Sequence, residues 1–101
     1  MSQSKLQYYI DLAREGSRES IDRIMKDLHR ETEIVDTKFI DYALGLIEGE
    51  EGFEIMRDYL FHGTQIQRNY ATLYFGRLGE YLIVREAYDQ GLIDGRQAFS
   101  R

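Results

Sequence analysis

An all-α fold follows from three features of this 101-residue chain: it contains no proline, it lacks long β-branched runs, and its apolar residues recur at helical spacing in most windows. Apolar residues make up 43% of the chain, enough for a core that buries roughly two thirds of the unfolded surface without disulfides or a structural metal. The length suits one small domain. The expected architecture is about six helices in three stacked antiparallel hairpins, near 4–31, 36–62 and 64–91, with a short C-terminal cap at 94–101.

The first segment carries Leu6, Tyr9, Ile10 and Ala13 on one face and is expected to end at Gly16, which tolerates positive φ. The second carries Ile21, Ile24, Met25 and Leu28 and runs into Glu31-Thr32-Glu33-Ile34-Val35, read as a connector. Asp36 or Thr37 is the expected cap of the third, whose stripe is Ile40, Ala43, Leu44 and Ile47 and whose end is set at Gly49. The fourth has Phe53, Met56 and Leu60, with Ile55 and Tyr59 beside them, and stops at Gly63. Thr64 caps the fifth, which carries Ala71, Tyr74, Phe75 and Leu78 as far as Gly79. The sixth carries Ile83, Val84, Ala87 and Tyr88 up to Gly91, and Asp94 caps one more turn that includes Phe99.

A fixed self-offset of 31 residues runs through this pattern. It relates Met25 to Met56 and Ala87, Ala13 to Leu44 and Phe75, Tyr8 to Phe39 and Tyr70, and Asp27 to Asp58 and Asp89. Ile24 maps to Ile55, Leu28 to Tyr59, and Gly45 to Gly76. Agreement at one offset across both helices of each pair predicts stacked helical hairpins.

The best-formed unit, Gln67 to Glu80, resembles the first helix of a HEAT-like repeat of the phycobilisome-lyase type. Arg68, Ala71, Phe75, Gly76, Leu78, Gly79 and Glu80 fall in register with that pattern. Gln67, Tyr70, Tyr74 and Glu80 depart from its preferred Val, Ala, Ala and Asp. Ala43-Leu44-Gly45 with Ile47 forms a weaker second match, and the first hairpin matches only in its apolar stripe. The resemblance implies a short superhelix whose second helices line a concave face for binding proteins or, in basic members, nucleic acid.

Asp27, Asp58 and Asp89 would stand at one height on successive second helices. Such a ladder serves either as a docking strip for a basic peptide or as a stacking device that bonds nearby backbone and arginines. The docking reading places Arg57, Arg85, Tyr59 and Tyr88 on the same protein-binding face. Arg68 is expected to pair with a carboxylate of the preceding hairpin, for example Asp58. Glu48, Glu50, Glu51 and Glu54 suit the dipole at a helix start, and no EF-hand spacing is present.

His29 and His62 lack metal-site spacing, cysteine is absent, and neither a phosphate-binding glycine loop nor a nucleophile motif occurs. No catalytic residue, metal or cofactor is therefore expected. The formal charge of −5 and the intermixing of signs disfavour nucleic-acid binding. The start of the chain shows no apolar leader, and no apolar run is long enough to span a bilayer, so a cytoplasmic protein is expected. The functional expectation is an interaction module or adaptor for a protein partner, with homodimers through open stack ends in view. The alternatives are a helical nucleic-acid-binding regulator, of winged or helix-turn-helix type, and an accessory subunit of an enzyme.

Overall fold

The structure, a computed structural model, describes residues 4–98. It is all-α: the helices are α1 (Lys5–Glu15), α2 (Arg18–Lys26), α3 (Ile34–Leu44), α4 (Gly49–His62), α5 (Gln65–Leu78), α6 (Tyr81–Asp89) and the single turn α7 (Gly95–Ala98). There is no strand among the described residues. The chain divides into two compact units, one ending at Ile55 and the other starting at Met56.

In the first unit α1 packs against both α2 and α3. Ser4 caps α1 by accepting from the Gln7 N–H, and Gly16 closes it in the left-handed conformation at φ 68°. Ser17 then caps α2 through the Ser20 N–H, so only Gly16 and Ser17 separate the two helices, which forces a tight hairpin. Tyr9, Ala13, Ile21, Ile24, Met25, Ile40, Ala43 and Leu44 are buried, all from the apolar stripes expected of the three helices, while Leu6 and Ile10, expected on the same face of α1, are half-buried. Lys5 on α1 reaches Asp36 on α3 at 2.8 Å, a pair separated by 31 residues.

The boundaries of α3 differ from expectation at both ends. It begins at Ile34, after Glu33, because neither expected cap is available. The Asp36 carboxylate is taken by Lys5, and the Thr37 hydroxyl donates back to the Glu33 carbonyl at 3.0 Å. Ile34 and Val35 are consequently helical and exposed rather than part of a connector. The helix ends at Leu44, not Gly49: the Leu46 and Ile47 N–H groups fold back on the Ala43 and Leu44 carbonyls in a tightened turn. Gly49 instead opens α4 at φ 89°. Leu28 and Ile47 are buried from turns, beyond the ends of α2 and α3.

In the second unit α5 packs against α6 and α7, and α6 against α7. Thr64 and Gln67 form a reciprocal capping box at the start of α5. Gly79 ends α5 at φ 77°, and its N–H and that of Glu80 take the Gly76 and Phe75 carbonyls. Met56, Leu60, Ala71, Tyr74, Phe75, Val84 and Ala87 are buried, with Tyr74 edge-on to Phe75 at 5.0 Å. Leu78, expected in this stripe, is instead 52% exposed: it lies in the last residue of α5, past the packed turn. Phe99 lies outside the described residues.

Truncating Phe75, which is fully buried, is expected to cost about 3–5 kcal/mol, whereas Leu78→Ala should cost less than about 1 kcal/mol. Urea unfolding of the two variants followed by circular dichroism checks this ordering, and equal losses would contradict it.

Candidate functional site

The first unit holds an acidic cleft of about 210 Å³ where α1 meets the α2–α3 connection. Tyr9 forms its floor: the ring is buried, lies 5.3 Å from Tyr8, and its hydroxyl donates to Asp27 Oδ2 at 2.7 Å. Asp27 sits at the end of α2, where its N–H takes the Ile24 carbonyl. The Asp27 carbonyl in turn accepts from the Thr32 hydroxyl, and the His29 N–H donates to that same hydroxyl oxygen at 2.9 Å. The connection is thereby folded onto the end of α2 by a hydroxyl, without regular structure. His29 Nδ1 lies 3.3 Å from the Glu31 carboxylate at the exposed rim.

Charge follows from this arrangement. Burial, then the hydrogen bond to Asp27 and its negative charge, push the Tyr9 hydroxyl well above the ordinary tyrosine range. The Asp36 carboxylate, by hydrogen bond and charge, holds Lys5 above the usual lysine range. Both groups keep their protons at neutral pH, and Asp27 is spent on Tyr9.

A second cleft in the same unit, about 490 Å³, lies between the end of α1 and the start of α4 and is lined by Arg14, Glu15, Glu48, Glu50 and Glu51 among others. Hydrogen bonds from Ser20 and then Ser17 lower the Glu15 carboxyl below its ordinary value. No group of three or more acidic or histidine side chains converges as a metal site among the described residues. Burial of Ser20 accompanies its position under the α1–α2 turn.

In the second unit α4 and α6 place Arg57 near Glu86 at 3.8 Å, while the Arg57 guanidinium lies 5.7 Å from the centre of the Phe61 ring. Arg85 bonds Asp89 one turn later at 3.1 Å. Asp58 and Tyr59 are half-buried, and both are engaged in contacts; Tyr88 is partly exposed. Of the candidate binding residues, the structure thus brings Arg85 to Asp89. Asp27 belongs to the other unit and is tied to Tyr9 there. Arg68 acts as a clamp: Nη1 donates to the Gly63 carbonyl and Nε to the Leu92 carbonyl, each at 2.8 Å.

Sequence reasoning missed the most exposed apolar feature. Leu78, Tyr81 and Leu82 flank the α5–α6 turn, Tyr81 at 54% and Leu82 at 86% exposure. The signal was present: Tyr81-Leu82-Ile83-Val84 places four apolar residues in succession on a nine-residue helix, covering more of its circumference than one core can bury.

Two expectations follow from the clamps. Tyr9→Phe should lower stability at pH 7 by about 1–2 kcal/mol, since half-buried Asp27 loses its donor. Folding favours the protonated Tyr9, so its contribution is complete below the ordinary tyrosine pKa near 10 and is lost as pH rises beyond it. Burial raises Tyr74 as well, so stability should still fall in alkali in Tyr9→Phe, but less steeply than in the wild type. Urea titrations at pH 7 and at about pH 11 measure the difference. Arg68→Lys, which cannot span two carbonyls with a planar fork, should cost about 1–3 kcal/mol and speed amide exchange around Leu92. Unchanged exchange there would contradict the clamp.

Comparison of the chain with protein-family models, with curated proteins and with solved structures returns no match.

Proposed function

We propose that this chain is a helical interaction module, built on HEAT-like hairpins, that binds a protein partner through the outer surface of its α5–α6 turn. The observation that carries the reading is the cluster of Leu78, Tyr81 and Leu82 held exposed in water, with Tyr88 two turns further along α6. A small chain gains nothing for its own stability from such side chains, and grouped exposed apolar residues are a common mark of interaction sites. Aromatic side chains make good anchors there, since they offer large contact area at little entropy cost.

The charge arrangement supports a protein partner over nucleic acid. Arg18, Arg23, Arg57 and Arg85 each have a carboxylate within 4 Å, so these guanidinium groups are already engaged with acids. Phosphate recognition draws on clustered cations that are free to replace counterions. The pair Lys5 and Asp36, together with the buried triplets Met25, Met56, Ala87 and Ala13, Leu44, Phe75, supports the repeat reading, because all fall at the 31-residue offset.

Affinity capture from a lysate of the source cells tests the reading. A protein enriched by the wild type is expected to survive nuclease treatment, to bind again when purified, and to be depleted about tenfold by Leu82→Asp. Loss on nuclease treatment, or equal recovery by the variant, would overturn it.

A further inference from the structure

The turn from His29 to Thr32 sets one ring nitrogen between two partners of opposite kind. His29 Nδ1 accepts from the Glu31 N–H at 3.3 Å, and the same atom lies 3.3 Å from Glu31 Oε2. The ring stands in water, with 55% of its side chain exposed, so protons reach it freely. The backbone around it is fastened without help from the ring. The His29 N–H donates to the Thr32 hydroxyl oxygen at 2.9 Å, the Thr32 N–H donates to the His29 carbonyl at 3.1 Å, and the Thr32 hydroxyl donates to the Asp27 carbonyl.

A bare ring nitrogen accepts a hydrogen bond and a protonated one only donates, so Nδ1 serves one of these partners at a time. From this geometry we infer that the α2–α3 connection carries a proton-operated latch. With a neutral ring, Nδ1 takes the Glu31 N–H and closes the turn. When Nδ1 gains a proton it meets that N–H donor to donor; the ring gives up the backbone bond and donates to the Glu31 carboxylate, and the Glu31 N–H is left to water. Imidazoles change charge between about pH 5 and 8, a range in which carboxylates and ammonium groups as classes do not. The charged and titratable groups that share the cleft with His29 are Lys5 and Tyr9 from α1, Asp27 from the end of α2, Glu31 and Glu33 from the connection, and Asp36 from α3, while Arg30 is its exposed chain neighbour. Asp27 is engaged by Tyr9 and Asp36 by Lys5, and Glu31 is the carboxylate set against the ring. Because His29 and Glu31 both line the acidic cleft, the latch makes its rim responsive to mild acid. The inference stands apart from the α5–α6 reading.

Nuclear magnetic resonance of the isotope-labelled full chain, from about pH 8 down to about pH 5, tests it. At the alkaline end the neutral ring should carry its proton on Nε2, with Nδ1 bare. As the ring charges, the Glu31 amide and its side-chain carboxyl carbon should shift in step with the ring signals. Amide exchange at Glu31, corrected for its intrinsic pH dependence, should quicken about fivefold, while the Thr32 amide keeps its protection. His29→Asn retains an acceptor for the same N–H, as in an Asx turn, and does not titrate, so its Glu31 amide should stay protected and flat across the range. His29→Gln takes its place should that variant fail to fold by circular dichroism. His62→Gln removes the other histidine and should leave the response intact.

A neutral ring protonated on Nδ1 overturns the inference, since that atom then has no lone pair for the Glu31 N–H. So does a Glu31 amide or carboxyl carbon that ignores the titration of the ring. A response that persists without His29, or that disappears with His62→Gln, overturns it as well.

Discussion

Helix length governs this structure. Helices of nine to fourteen residues are marginal in water, because nucleation is costly and few hydrogen bonds follow it. Each of these helices persists by burying an apolar stripe, and fully buried positions accordingly appear on every helix from α1 to α6. The shortest full helices, α2 and α6, have nine residues each, and both carry a buried centre: Ile21, Ile24 and Met25 in one, Val84 and Ala87 in the other. Packing does for them what propensity does for longer helices. α1 is central to the first unit because it meets both α2 and α3, and Lys5 and Tyr9 place one charged and one hydroxyl tie on its two neighbours.

Short helices also multiply helix ends, and every end leaves backbone groups to be satisfied. Glycines in the left-handed conformation serve at Gly16 and Gly79, where the last carbonyls are taken by the following N–H groups. Elsewhere side chains reach across: the Thr32 hydroxyl takes the Asp27 carbonyl, and Arg68 takes those of Gly63 and Leu92. Arg68 joins the end of α4 to the segment before α7 from a position on α5, and so acts as a turn clamp.

These two constraints explain which parts of the fold were legible in the sequence. Periodicity located the core because burial is compulsory for short helices, and Met25, Met56 and Ala87 are all inaccessible. Glycine ends were legible at Gly16, Gly79 and Gly91, where positive φ demands that residue. The start of α3 was not, because Asp36 and Thr37 have the chemistry of caps and are occupied by partners that local sequence does not reveal: Lys5, 31 residues away, and the Glu33 carbonyl. Gly49 misled in the same manner, since positive φ serves the start of α4 there. Asp27 stands out in the sequence only through its 31-residue offset from Asp58 and Asp89, whereas Tyr9, 18 residues earlier, donates to its carboxylate, a pairing that no spacing rule discloses.

The exposed apolar positions also trace to helix ends. Leu78 matched a repeat position and was assigned to the core by its chemistry, but the αL glycine that follows it ends the helix before a neighbour covers it. Leu82 is exposed on the first turn of α6, and the early start of α3 exposes Ile34. Both exposed clusters are thus products of where helices begin and end. Only the α3 start is displaced from its expected cap, which puts Ile34 and Val35 on an exposed first turn; α5 ends at Gly79 as its sequence predicts, and Leu82 is exposed on the first turn of α6. The capping chemistry that satisfies the backbone therefore also bears on which apolar side chains this chain leaves exposed.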